Sequence, residues 1–144
     1  MASVVRIMTD SKITNTSGCD GADDEGERGK STIVDKPWGH ELIWAKTDRY
    51  VGKILHVRAG EALSLQYHRV KDETIMVLSG RMRLEFFVDG ASPSSRELGP
   101  REPFHVAPEL RHRMIAIEDT DVLEVSTPEL DDVVRLEDRY GRAQ

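Results

Sequence analysis

Gly60-EALSL-Gln66-Tyr67-His68-RVKD-Glu73-TIMVLS-Gly80 is the stretch around which the chain is organised. It holds two short apolar runs between glycine stops, too rich in β-branched and aromatic residues for a long helix. Both runs therefore read as strands. On an extended strand side chains alternate with period two, so Gln66 and His68 project to one face. Glu73 opens the next strand after a tight polar connection. Neighbouring strands lie about 4.8 Å apart, so its carboxylate can reach the point that Gln66 and His68 share.

Working outward, short apolar or alternating segments recur every ten or so positions from Thr32 onward, the rhythm of an all-β sandwich or barrel. Strands are predicted over residues 41–45, 50–58, 62–68, 73–79, 81–88, 104–107, 111–116 and 121–126. Breaks fall at Arg58-Ala59-Gly60, Ser79-Gly80, Asp89-Gly90 with Ser92-Pro93-Ser94-Ser95, and Pro108-Glu109. His112 stands at the start of one such strand, some forty residues after His68. After Ser126, TPELDDVVRLEDRYGR places acidic residues behind a Thr-Pro start, compatible with a short C-terminal helix or a docked tail. Residues 10–31 are almost devoid of large apolar groups and cannot offset their ordering entropy by burial. The organisation expected is a disordered leader over 1–31 and one β-barrel domain over 32–144.

Whole-chain chemistry narrows the function. With 144 residues, 32% of them charged and a net charge of -6, the chain has one core and no cationic surface for nucleic acid or an anionic membrane. The single cysteine, Cys19, falls in the leader and excludes an intrachain disulfide or a thiolate-rich zinc knot. A reducing, cytoplasmic setting is expected. No apolar run approaches a bilayer span.

Gln66, His68, Glu73 and His112 form a nitrogen and oxygen donor set suited to zinc, manganese, iron, nickel or cobalt. Their spacing resembles the cupins, jelly-roll barrels whose first motif runs glycine, five residues, His-x-His, three or four residues, Glu, six residues, Gly. Gly60, His68, Glu73 and Gly80 fall on it, with Gln66 for the first His; Pro108 and His112 resemble the second motif, whose usual Gly-Asp opening is Arg101-Glu102 here. Leu63-Ser64-Leu65-Gln66-x-His68 resembles more closely the cupin of type II mannose-6-phosphate isomerases. So do Lys36-Pro37-Trp38-Gly39, Lys53, and the block from Asp131 to Arg142. The family's Glu-His-Trp is Glu73-Thr74-Ile75 in this chain.

The resemblance implies one divalent ion, zinc first, on Gln66, His68, Glu73 and His112. It implies aldose–ketose isomerisation of mannose 6-phosphate and fructose 6-phosphate, with a soluble sugar phosphate as partner and a homodimer as assembly. Lys53, Arg113 and Arg135 are candidates for holding phosphate or sugar hydroxyls, as cationic donors suit an anionic ligand. Glu124, in an apolar strand where a carboxylate is costly to bury, is either a pocket acid or base, or the partner of a buried arginine such as Arg135. Lys53, Glu124 and Arg135 are the catalytic candidates. His40, His56 and His105 read as hydrogen-bonded structural histidines, and Trp38, Trp44 and Tyr140 as packing residues. A non-catalytic sugar-binding or regulatory cupin, or another metallo-cupin such as a dioxygenase or sugar epimerase, is the alternative, since one fold hosts many reactions.

Overall fold

A computed structural model describes residues 29–143 together with the backbone of the strand Val5–Ile7. The strands in chain order are β1 (Val5–Ile7), β2 (Thr32–Lys36), β3 (Gly39–Lys46), β4 (Val51–Val57), β5 (Leu65–Tyr67), β6 (Glu73–Ser79), β7 (Met82–Phe87), β8 (Ser94–Leu98), β9 (Pro103–Val106), β10 (Arg111–Ala116), β11 (Thr120–Ser126) and β12 (Val134–Glu137). They form two antiparallel sheets, ordered β1-β2-β3-β4-β11-β6-β9 and β12-β5-β10-β7-β8, packed as a jelly-roll barrel. The expected all-β barrel is thus observed.

Inward residues on the larger sheet lie in cross-strand rows. Leu55, Val122 and Val77 make one row, and Lys53, Glu124 and Ile75 the next. On the facing sheet Met114 pairs with Leu84 and Ala116 with Met82, whereas His112 pairs with Gln66. One end of the barrel is therefore apolar, with Leu55, Val77, Leu84 and Val122 fully buried. Each such side chain contributes about 1.5–3 kcal/mol. The other end carries polar side chains facing one another.

Two glycines of the quoted motifs are sterically required. Gly80 turns β6 into β7 at φ 86°, and an added Cβ would overlap the Asp119 carbonyl oxygen and the Thr120 hydroxyl. Gly39 follows Trp38 into β3, where an added Cβ would overlap the His56 carbonyl.

The strand predictions differ from the structure in five places. β8 lies where a break was expected at Ser92–Ser95: its polar Ser-Ser-Arg-Glu run has no alternation to see, and it pairs because it completes the hydrogen bonding of β7. The expected strand over 62–68 shortens to Leu65–Tyr67, with Ala62 making only an isolated bridge to Ile115. β2 was not predicted and pairs along the whole of its length with β3. The C-terminal segment forms no helix among the described residues; Val134–Glu137 pairs with β5, so the docked tail is the form adopted. Of the expected leader, Val5–Ile7 pairs with Thr32, Ile33 and Val34 of β2. Cys19 lies outside the described residues.

Candidate metal centre

Glu73 opens β6 on the larger sheet, His112 lies near the start of β10 on the smaller one, and His68 follows β5. All three side chains are buried, and one donor atom from each lies within 4.8 Å of the others. Glu73 Oε1 stands 3.3 Å from His68 Nε2 and 3.5 Å from His112 Nε2. The outer nitrogen of each ring is already committed. His68 Nδ1 donates to the Asp132 carbonyl at 2.6 Å and His112 Nδ1 donates to the Leu110 carbonyl at 3.0 Å. A carbonyl only accepts, so both Nδ1 atoms carry the proton, and in each neutral ring Nε2 presents a lone pair.

Two lone pairs and a carboxylate oxygen therefore converge on one point. Without positive charge between them that arrangement is repulsive, and His112 Nε2 is buried with no hydrogen-bond partner. Ligands held about 2.0–2.2 Å from a tetrahedral ion stand about 3.4 Å apart, the spacing seen here. Gln66 is the Cα partner of His112 across β5 and β10 and lines the same cleft. Its Oε1 accepts from the Ser64 hydroxyl at 2.7 Å, which leaves a second lone pair. The residues fit a divalent cation bound through imidazole and carboxylate donors, with the Nδ1–H bonds to carbonyls acting as the orienting contacts such ligands need.

Behind Glu73 lies a buried ion cluster. Lys71 Nζ is 2.5 Å from Glu73 Oε2, in ion-pair contact without hydrogen-bond alignment, and donates to Glu124 Oε1 at 3.0 Å. Burial alone would lower the Lys71 pKa, but Glu124 and Glu73 outweigh it and hold the ammonium well above the usual lysine range. Burial raises the Glu73 pKa, but in the metal-free centre, where an Nε2 proton takes the place of a cation, hydrogen bonds from His112 and His68 together with the Lys71 charge outweigh it and hold the carboxyl well below the usual range. Glu124 goes the other way: burial, then the nearby Glu73 charge, push it up against Lys71 and Lys53.

A sequence profile described as mannose-6-phosphate isomerase C-terminal matches residues 23–138. The chain belongs to this family. Mannose-1-phosphate guanylyltransferase ManC of Salmonella typhimurium and the mannose-1-phosphate guanylyltransferase of Escherichia coli are each 32% identical to it over 126 residues, 84% of this chain. The chain spans about a quarter of the length of these relatives, 25% in each case. Among solved structures, KdgF from Halomonas sp. aligns with a TM-score of 0.59 at 21% identity, covering 76% of this chain and 94% of that one. The capsular polysaccharide assembling protein CapF from Staphylococcus aureus aligns at 0.63 and 19% identity, covering 75% of this chain and 34% of that one. Both show the shared cupin fold.

Within this member of the mannose-6-phosphate isomerase C-terminal family, the cleft of about 230 Å³ brings together most of the residues singled out in the sequence. Lys53, Gln66, His68, Glu124 and Arg135 line it, beside the buried Glu73 and His112. Lys53 on β4 is the cross-strand partner of Glu124 and lies 3.4 Å from Glu41 Oε2. Arg113 is not among them. Period two turns it to the opposite face from His112, where it binds Glu85 and Glu137 on the outside of the smaller sheet. The buried partner of Glu124 is Lys71, not Arg135. His56 bonds Asp121 and stacks on His40, and His105 bonds Asp72, all three away from the centre. Trp38 is core, Tyr140 packs against it, and Trp44 is 45% exposed.

Two residues of the site were not singled out in the sequence. Lys71 precedes Glu73 by two positions, and that spacing, which would put both on one side of an extended chain, was the available signal. Asp132 lay inside the quoted C-terminal block. Its carboxylate accepts the backbone N–H groups of Arg69, Val70 and Lys71 at 3.0, 2.7 and 2.8 Å, and these hold its pKa down at about 2. It ties the His68–Glu73 connection in place, and nothing local to residue 132 announces that.

Proposed function

We propose that the chain is a metal-dependent sugar-phosphate isomerase interconverting mannose 6-phosphate and fructose 6-phosphate. The observation that carries this reading is the convergence of two imidazole lone pairs and a carboxylate oxygen at the polar end of the barrel, in a chain of this family. His68, Glu73 and His112, with Gln66 beside them, would hold the divalent ion, zinc first and manganese, iron, nickel or cobalt as alternatives. When bound, such an ion supplies Lewis acidity that stabilises negative charge developing on the substrate oxygens.

The remaining work falls to the side chains lining the cleft. Glu124 takes the proton from the carbon α to the carbonyl and returns it to the former carbonyl carbon, while the hydroxyl proton of the α carbon passes to the former carbonyl oxygen, so that the two hydrogens change places and no outside oxidant or reductant is needed. Its raised pKa supports this role, because a general base works best when its pKa approaches the operating pH. Lys71 fixes Oε1 of that carboxylate and keeps it from swinging out of the cleft. Lys53, across the strand pair, and Arg135, on β12, offer positive charge to the substrate. The barrel wall behind Glu124 excludes bulk water, since Ile75 and Val122 on either side are fully buried.

A coupled assay on mannose 6-phosphate, with protein stripped of metal and reloaded separately with zinc, manganese, iron, nickel and cobalt, tests the reading. Turnover with at least one metal, and none in the stripped protein, is expected. Absence of turnover with every metal, accompanied by a rise in Tm with sugar phosphate, would replace it with the non-catalytic sugar-binding alternative. Oxygen consumption with iron would replace it with a dioxygenase.

A further inference from the structure

Away from the cleft, five polar side chains stand in register across the outer face of the larger sheet. Asp35 on β2 is the cross-strand partner of His40 on β3, His40 of His56 on β4, His56 of Asp121 on β11, and Asp121 of Ser79 on β6. Period two puts this row on the face opposite Glu41, which lines the cleft, and Leu55, which lies in the core. Solvent reaches the row, as the side chains of His56 and Asp121 are 33% and 41% exposed. Two imidazoles thus stand side by side with a carboxylate at either end, and the row holds no lysine or arginine.

The two rings are held as a pair. Their centres are 5.1 Å apart with the planes 22° from parallel, close to the 5.4 Å between His68 and His112 at the inner centre. Two imidazoles bound at about 2.0–2.1 Å to one tetrahedral ion place their ring centres about 5 Å apart. Gly39 contributes to the placement, since its missing Cβ lets the chain before His40 close against the His56 carbonyl. His56 Nδ1 donates to Asp121 Oδ1 at 2.7 Å, and the Ser79 hydroxyl donates to Asp121 Oδ2 at 3.3 Å. A carboxylate accepts, so the neutral His56 ring carries its proton on Nδ1 and presents a lone pair at Nε2. Metal-bound histidines are commonly oriented by a carboxylate in this way. Among the described residues, neither His56 Nε2 nor the His40 ring has a hydrogen-bond partner.

We propose that His40 and His56 form a second, solvent-facing site for a divalent transition-metal ion, with Asp121 orienting His56 and water completing the shell. Among the described residues only the inner centre gathers three imidazole or carboxylate donors within reach of one another. The outer pair is therefore the weaker site, filled in a titration and emptied by gel filtration. Imidazole donors favour copper(II) over nickel(II), zinc(II) and cobalt(II), whereas magnesium and calcium take oxygen ligands and are not bound here. The site is independent of the isomerase reading.

Isothermal titration of the metal-free full chain with zinc(II) tests it, in the wild type and in His40→Gln, His56→Gln, Asp121→Asn and His105→Gln, each checked for folding by circular dichroism. A weaker ion beyond the one at the inner centre is expected in the wild type and in His105→Gln. It is absent from His40→Gln and His56→Gln, and held about tenfold more weakly in Asp121→Asn. A His68→Ala, His112→Ala double variant, which lacks the inner imidazoles, is expected to keep the outer ion. Copper(II) bound to it is expected to show coupling to two imidazole nitrogens by electron paramagnetic resonance. Should an outer variant fail to fold, that spectrum decides. Wild-type affinity for the weaker ion in both His40→Gln and His56→Gln, its loss in His105→Gln instead, or a copper spectrum with one nitrogen or none overturns the site. Loss of the only bound ion in His40→Gln and His56→Gln, with none at the inner centre, keeps the outer site and removes the inner one.

Discussion

His68 and His112 owe their role to what their outer nitrogens do. With each Nδ1–H spent on a backbone carbonyl, the inner nitrogen of a neutral ring can only accept a proton or bind a cation. His68→Ala and His112→Ala are therefore expected to lose bound metal while leaving a folded barrel, read by elemental analysis alongside circular dichroism. Stoichiometric metal in both variants would dismantle the site. Lys71 has a different weight. Replacing it with Met leaves Glu73 and Glu124 buried with no cation between them, and removing one partner of a buried ion cluster costs about 3–5 kcal/mol. Urea denaturation of Lys71→Met should show a loss of that order in the metal-free protein. A change within the error of the method would mean the cluster is solvated and its charges screened.

At the scale of elements, the connection between β5 and β6 has no regular structure, and its shape is imposed from the C-terminal segment. Asp132 accepts three consecutive backbone N–H groups there, and its carbonyl receives the His68 ring proton. Because its folded pKa is depressed to about 2 from 3.8, the stabilisation it lends is fully present above 3.8 and is lost as pH falls toward 2. Acid titration followed by carboxyl NMR should find Asp132 ionising near the lower value, and Asp132→Asn should flatten that part of the stability profile. A midpoint near 4 would show that the three bonds do not persist in solution. β12 illustrates the same dependence. Val134 and Arg135 lie opposite Tyr67 and Gln66, which is how a residue near the end of the chain comes to line the cleft.

For the whole molecule, the centre joins the two sheets, with Glu73 on the larger and His68 and His112 on or beside strands of the smaller. A cation bound there ties the sheets together at the polar end, where the apolar core gives no support. Metal binding to the folded form alone stabilises by about 4 kcal/mol at a thousandfold excess over Kd. Stripping with a chelator should accordingly lower Tm by several degrees, with recovery on reloading, measured by calorimetry. An unchanged Tm would place any bound metal outside the inter-sheet position.

The strands with strong alternation, the glycine turns and the convergence of Gln66, His68 and Glu73 were legible in the sequence. They depend on period-two geometry and on short connections, which are local. β8 and β12 were not, because neither has a pattern of its own and both form by completing another strand's hydrogen bonds. Arg113 and Arg135 look alike as isolated basic residues; strand pairing alone turns one outward onto Glu85 and leaves the other unpartnered at the cleft. Lys71 acquires its role from Glu124, 53 residues away in sequence, and Asp132 from a connection about sixty residues upstream. Gln66, His68 and Glu73 were set by spacing along the chain, and His112 by its resemblance to the second cupin motif. What surrounds them, the buried lysine between two acids and the cations at the mouth, was decided only by long-range pairing, because charge in a protein is governed by its neighbours in space.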